Sequence, residues 1–164
     1  MRASFASIAS AGALAVLSLT AMPAAADRKS APKEAHAYIV SPVHGQTVPQ
    51  TFTVIFGLEG FGVAPAGVER DNTGHHHLLI NVDELPPMDR PLPATDNIVH
   101  FGAGQTQTTL RLEPGKHTLQ LLMGDHTHTP HYPSVKSQKI TITVRPDPTP
   151  APSDERKGSP LKLF

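Results

Sequence analysis

The sequence predicts an all-β domain built as a small antiparallel sandwich of two sheets, and three observations lead to this prediction. The 164 residues include 17 prolines and 12 glycines, which favours many turns and disfavours long helices. Several short segments alternate apolar with polar side chains, which is the two-residue period of a half-buried strand. No segment shows the 3.6-residue apolar period of an amphipathic helix.

The first 26 residues have the features of a cleavable secretory signal. Arg2 precedes an apolar run, and the run is followed by Ala24-Ala25-Ala26, the small residues of a cleavage site. A membrane-spanning helix needs roughly 20 apolar residues, more than this run supplies. We therefore expect cleavage after Ala26, a periplasmic or secreted protein, and no transmembrane segment after cleavage.

The remaining chain divides into a flexible leader (27–34), one β domain (35–145) and a proline-rich disordered tail (146–164). Within the domain, Phe52, Val54 and Phe56 alternate with residues such as Thr51 and Thr53, as expected of a strand. The glycine-rich stretch 57–74 and the proline-rich stretch 85–93 are predicted to be irregular connections. The predicted strands are 36–40, 50–58, 75–82, 106–112, 117–123 and 138–144.

A turn is predicted where the chain reads Glu113-Pro114-Gly115-Lys116. It is the strongest hairpin signal in the sequence, and it predicts that 106–112 pairs with 117–123. The same segment is similar to the corner between the fifth and sixth strands of immunoglobulin-like sandwiches, where a Tyr is usual and this chain has His117. The predicted fold is therefore an immunoglobulin-like sandwich of about six to seven strands.

Composition excludes several classes of function. The 14 Lys and Arg residues balance 14 Asp and Glu residues, so the chain has no basic surface for nucleic acid. It has no Cys, and therefore no disulfide, thiolate nucleophile or thiolate ligand. Neither a nucleophile elbow nor a phosphate-binding loop is present. All ten histidines follow the predicted signal, which leaves imidazole chemistry as the main candidate.

The first histidine cluster is His75-His76-His77. On a strand, His75 and His77 share a face, while His76 lies on the opposite face with Leu78. Residues two apart on a strand are separated by roughly 6.6 Å, and two imidazoles can converge from there on one metal with bonds of about 2.0–2.1 Å. Equally, buried histidines can brace a loop through hydrogen bonds, and this motif alone favours neither interpretation.

A second cluster contains one carboxylate and three imidazoles, at Asp125, His126, His128 and His131. Such density suits a divalent transition ion. In the alternative interpretation, Asp125 caps a turn while His126 and His128 lie in water. His100, in a glycine-rich segment, belongs with these residues only if the fold brings it to them.

Separated motifs resemble the bacterial exported family known as a domain of unknown function, DUF 4399. These motifs read NTGHHHLLI from Asn72, HFGAGQT from His100 and HTLQLLMGD from His117. The resemblance covers about 36–144 and implies an exported domain without an established activity. The chain departs from the family pattern at two positions. At Asn81 the family has Asp, which would place a carboxylate near the histidine strand, and at Ala103 the family has Gly. The resemblance groups seven histidines together: His75, His76, His77, His100, His117, His128 and His131.

The sequence thus predicts an exported, non-enzymatic domain that binds one copper(II) or zinc(II) ion in the cell envelope. Copper(I) is disfavoured because it prefers sulfur ligands. An adaptor sandwich whose histidines form an internal hydrogen-bond network is the alternative, and an envelope protein partner stays open. A metal-dependent hydrolase ranks last, because no general base beyond Asp125 is evident. The predicted metal ligands are His75, His77, His100, Asp125, His128 and His131, with His76 and His117 as structural histidines.

Overall fold

A computed structural model describes residues 28–148 of the chain. The predicted signal and the predicted tail beyond residue 148 lie outside the described residues. Within 28–148 there is no helix, and hence none that could cross a membrane. The strands are β1 (His36–Ser41), β2 (Thr47–Val48), β3 (Thr51–Glu59), β4 (Gly62–Val63), β5 (Thr73–Ile80), β6 (Ile98–His100), β7 (Gln107–Arg111), β8 (Gly115–Gly124) and β9 (Ile140–Val144).

These strands form two sheets, which confirms the predicted all-β sandwich. One sheet has the order β1-β3-β7, and the other has the order β2-β9-β8-β5-β4, with β6 also paired to β5. The long strands pair in antiparallel fashion, as in immunoglobulin-like sandwiches. The six strands of five or more residues overlap the six predicted segments. The short strands β2, β4 and β6 were not predicted, because two or three residues display no period.

The predicted hairpin is wrong, whereas the predicted corner is present. Strand β7 pairs with β3, and β8 pairs with β5 and β9 in the other sheet. The turn signal at Pro114-Gly115 reverses the chain but does not determine which strands bond to each other. Strand β8 contains Leu119, Leu121 and Leu122, which are all fully buried. A strand with buried side chains on both faces is favoured at the centre of a sheet that is covered on both sides.

His117 connects the two sides of this corner through two hydrogen bonds of its ring. Its Nε2 donates to the carbonyl oxygen of Glu113 at 2.8 Å, and its Nδ1 accepts from the Asn81 side-chain amide at 2.9 Å. Asn81 Oδ1 in turn accepts from the backbone N–H of Thr118 at 3.0 Å. His117 thereby joins the corner to the end of β5.

Apolar side chains fill the space between the sheets and also cover the outer face of the larger sheet. Between the sheets, Val54 and Phe56 of β3 belong to one cluster with Leu121 of β8 and other buried residues. On the outer face, Leu79 and Leu122 pack against Leu92 of the proline-rich connection and Ile98 of β6. Strand β5 is therefore buried on both faces from Gly74 to Ile80, and its outward-facing histidines lie beneath loops.

The residues just before β1, predicted to be a leader, contact the loop that follows β8. Arg28 Nε donates to the carbonyl oxygen of Pro130 at 2.9 Å. The backbone N–H of Ala31 donates to the carbonyl of Tyr132 at 3.1 Å, and that of Tyr132 donates to the carbonyl of Lys29 at 2.8 Å. These bonds connect the first described residues to the segment that contains His128 and His131.

Candidate metal site

Strand β5 places two of its three histidines on the outer face of the larger sheet. The rings of His75 and His77 have centroids 4.8 Å apart, and both residues are at most 2% exposed. His76 lies on the opposite face, with its ring centroid 5.1 Å from that of Phe56 in the core between the sheets. The alternation of the strand thus separates one histidine from the other two.

His100 reaches the same face from β6. The antiparallel pairing of β5 with β6 puts His100 directly opposite His77. Its ring centroid lies 4.8 Å from that of His75 and 5.2 Å from that of His77. Since His100 is exposed, it forms the solvent side of the group.

His128 comes from the loop that follows β8. His75 at the start of β5 pairs with Gly124 at the end of β8, so the loop begins beside the histidines. His128 Nδ1 lies 3.0 Å from His75 Nε2, and the two rings share a hydrogen bond. The backbone of His128 has a φ of 70°, a left-handed conformation that costs about 1–3 kcal/mol in a non-glycine residue and is concentrated at functional sites.

Asp125 holds that loop in shape. Its Oδ1 accepts hydrogen bonds from the backbone N–H of Thr127 at 2.8 Å, from the Thr127 hydroxyl at 2.7 Å and from the backbone N–H of Thr129 at 2.9 Å. The backbone N–H of His128 donates to the carbonyl of Asp125 at 2.9 Å. Asp125 therefore caps the turn that presents His128.

These residues form the four-histidine group of His75, His77, His100 and His128. One ring nitrogen from each lies within 4.8 Å of the others. In a tetrahedral site with metal–nitrogen bonds of about 2.0–2.1 Å, the nitrogens are roughly 3.3 Å apart. The contact between His75 and His128 is already that short, so small inward movements of the other rings would complete a coordination sphere.

Two glycines leave the space that the rings occupy. A Cβ at Gly124 would lie 2.7 Å from Cε1 of His77, and a Cβ at Gly102 would lie 2.6 Å from Nε2 of His100. Real Cβ atoms essentially never approach other atoms so closely. A side chain at either position would therefore force the neighbouring imidazole to shift from where it lies.

Burial keeps the buried histidines neutral. Desolvation, followed by repulsion from His100 and His128, lowers the pKa of His75 to about 4. Desolvation, followed by repulsion from His75 and His100, lowers the pKa of His77 to about 3. The pKa of His100 is also lowered, mainly by burial. Neutral imidazoles are the form that binds metal.

The ring nitrogens are incompletely satisfied by the protein. Nδ1 of His75 and Nδ1 of His77 are buried and form no hydrogen bond. An unpaired buried polar group costs about 1–3 kcal/mol, so such atoms call for a reason other than stability. The donor atoms of this group are all imidazole nitrogens, and the four residues are placed so that they could hold a metal ion.

Other predicted residues lie apart from the group. His131 is buried with its ring edge-on to Phe61 at 4.9 Å, and its Nδ1 forms no hydrogen bond. His126 lies 3.9 Å from a carboxylate oxygen of Glu69. Asn81 faces His117 at the corner and not the group. Of the six predicted ligands, the structure brings together His75, His77, His100 and His128. It places Asp125 as the cap of the loop that carries His128, and His131 apart from the group.

The group opens into a pocket of about 220 Å³. Three imidazoles of the group line this pocket: His77, His100 and His128. They are faced by Leu92 and Pro93 of the proline-rich connection and by Ala94, which follows it. The backbone N–H of Leu92 donates to the carbonyl of His128 at 3.0 Å, which fixes this wall to the loop. Sequence reasoning did not find the wall, because a proline-rich segment has no period that shows what it covers.

Comparison with known proteins identifies one family. The model of a domain of unknown function, DUF4399, matches residues 54–145, a range that includes all four histidines of the group. No curated protein and no solved structure matched the chain.

Proposed function

The chain belongs to the DUF4399 family, and from that premise we propose that it binds one copper(II) or zinc(II) ion through the four-histidine group. The main support is geometric: ring nitrogens from β5, β6 and the loop after β8 lie within 4.8 Å of one another. These three elements are distant in sequence, and each supplies its imidazoles to one point on the outer face of the sheet. The neutral state of the buried rings favours binding without proton competition near neutral pH.

The proposal includes an exported and non-enzymatic role in the cell envelope. Support for export comes from the first 26 residues, in which a basic residue is followed by an apolar run and then by the small residues of a cleavage site. Support for a binding role comes from the surroundings of the group, because Oδ1 of Asp125, in the adjoining loop, is occupied as a loop cap. A metal-bound water on the pocket side would have no carboxylate among the residues that line the pocket to act as general base.

The alternative is a structural or adaptor sandwich whose histidines form a hydrogen-bond network. The bond between His75 and His128 favours it, as do the two bonds of His117 at the corner. Against it stand the buried Nδ1 atoms of His75 and His77, which such a network would be expected to satisfy.

Calorimetric titration of metal-free, tag-free protein with copper(II) and with zinc(II) tests the proposal. We expect one ion per chain, with affinity reduced at least about tenfold, or 1.4 kcal/mol, by His100→Gln and by His128→Gln. His36→Gln is the matched control, since His36 is exposed and lies outside the group. Binding that is absent, or equally strong in all three variants, would favour the hydrogen-bond network.

A further inference from the structure

We infer that the site, when it holds copper(II), keeps a coordination position open to a small anion that enters through the pocket beside His100. This inference rests on the proposed metal function and adds the class of ligand that the metal would accept. Copper(II) prefers square-planar or tetragonal nitrogen sites. Four imidazoles fill four positions of such a site, and a tetragonal site can accept a further, exogenous donor.

The pocket determines the direction of approach. His77, His100 and His128 line it, while His75 is not among its lining residues and is 0% exposed. An ion held by all four rings would therefore have His75 behind it and the pocket in front. Leu92, Pro93 and Ala94 form the facing wall, and the hydrogen bond between Leu92 and His128 keeps that wall in place.

Charge determines which donor is favoured. Four neutral imidazoles leave both positive charges of the ion uncompensated, and the described residues that line this pocket include no carboxylate. Asp125 is the carboxylate that acts on His75, and three donors from Thr127 and Thr129 already occupy its Oδ1. An anion that reaches the ion would be attracted strongly, because charges interact more strongly in a partly buried site than in water.

Size restricts the anion. The pocket has a volume of about 220 Å³, below the roughly 300–1,000 Å³ of pockets that hold drug-sized ligands. Its far wall is formed by the side chains of a leucine, a proline and an alanine, which offer no hydrogen bonds to a polyatomic oxyanion. The ligand class is therefore a small anion that binds the metal through one donor atom.

Azide binding to the copper(II)-loaded protein tests the inference, with the azide-to-copper charge-transfer absorption as the readout. We expect a saturable band in the wild-type protein. Ala94→Phe should fill the pocket and weaken azide binding at least about tenfold while copper affinity, measured by calorimetry, stays unchanged. Ala103→Phe is the matched control, because Ala103 is also exposed but does not line the pocket, and it should retain wild-type azide affinity.

The possible outcomes separate the two proposals. A copper-loaded protein without an azide band would overturn the open position and leave metal binding standing. An azide band of equal affinity in Ala94→Phe and Ala103→Phe would overturn the pocket as the route. A chain that binds zinc(II) but not copper(II) would overturn this inference alone, and one that binds neither ion would overturn the proposed function with it.

Discussion

His76 and His77 are adjacent and both buried, but the two faces of β5 give them different surroundings. His77 belongs to the four-histidine group, whereas His76 packs near Phe56 with neither ring nitrogen hydrogen-bonded. Burial lowers the pKa of His76 to about 4, and the backbone of Gln105 offsets this only in part. Nδ1 of His77 and both ring nitrogens of His76 are buried without a hydrogen-bond partner in good geometry, so an apolar side chain at either position would relieve an unpaired polar atom.

We predict that His77→Leu abolishes metal binding without lowering the stability of the metal-free protein. Replacing a buried, unpaired polar ring by a hydrocarbon of similar size is neutral or stabilising, by up to about 1–3 kcal/mol. Denaturant unfolding of metal-free protein and calorimetric titration of the same variant check both parts. A hydrogen-bond network would instead lose about 1–3 kcal/mol on this substitution.

His76→Leu is the matched control for that variant. It changes the same side chain on the same strand, one residue away and on the opposite face. We expect it to retain wild-type metal affinity and to have equal or greater stability than the wild type. A loss of metal affinity in His76→Leu would indicate that the effect of His77→Leu comes from disturbance of β5 and not from loss of a ligand.

Gly124→Ala is predicted to weaken metal binding although no ligand is removed. The added Cβ would lie 2.7 Å from Cε1 of His77 and 3.2 Å from the Cα of His128, so the ring of His77 and the backbone of His128 would have to shift. Displacing two ligands should reduce affinity by about 10–100-fold, as loss of supporting contacts does in other metal sites. Titration with copper(II) and zinc(II) measures the change.

Gly45→Ala is the control for a general effect of alanine. Gly45 has a φ of 80° and nothing within 4 Å of the position of its Cβ, so the substitution strains the backbone without touching the histidines. It should lower stability by about 1 kcal/mol and leave metal affinity unchanged. Equal losses of affinity in the two variants would contradict the steric argument at Gly124.

At the scale of elements, the loop after β8 depends on one carboxylate. Asp125 was predicted from sequence as a ligand, with turn capping as the alternative, and its three accepted hydrogen bonds place it as a cap. Asp125→Ala should loosen the loop and reduce metal affinity by about 10–100-fold. Asp125→Asn retains an acceptor oxygen, so it should recover most of that affinity in the same titration.

The comparison of these two variants distinguishes the roles of Asp125. A carboxylate that bound the ion directly would lose its charge in both variants, and Asn would then be as damaging as Ala. Hydrogen exchange at the backbone amides of Thr127 and Thr129 gives a second readout. Exchange should be faster in Asp125→Ala and close to wild type in Asp125→Asn.

The sequence predicts those elements whose side-chain pattern is contained within one strand. It does not predict the features that depend on which strands pair with each other. The alternation of β5 predicts that His75 and His77 share a face, because the period belongs to the strand itself. The position of His100 depends on β6, a three-residue strand defined only by its pairing with β5. The hairpin prediction failed for the same reason, since Pro114-Gly115 marks a turn in either topology.

At the scale of the molecule, the site and the main core lie on opposite faces of the larger sheet. The core between the sheets contains Phe56, Leu78 and Leu121, and the outer face contains the four-histidine group beside the cluster of Leu79, Leu92, Ile98 and Leu122. Substitutions in the group therefore remove little from the packing between the sheets. This separation makes the metal tests interpretable, because a variant can lose the ion and still fold.

Folding also moves β5 from water into a site buried on both faces, and this predicts how stability depends on pH. In the unfolded chain each histidine titrates near about 6.5. In the folded protein, desolvation holds the pKa of His75 and His76 to about 4 and that of His77 to about 3. Between these values the unfolded state binds more protons than the folded state, so protonation favours unfolding.

We predict that the free energy of unfolding of the metal-free protein falls as the pH drops from about 6.5 towards 4. Each of the three histidines contributes a slope of up to about 1.4 kcal/mol per pH unit in that window, and none above it, where all three are neutral in both states. Denaturant unfolding at a series of pH values measures the slope, and His77→Leu should make it shallower by the share of one histidine. Equal stability of the wild type at pH 7 and pH 5 would contradict the buried, neutral state of these rings. It would also contradict the argument that the four-histidine group can bind metal without first losing protons.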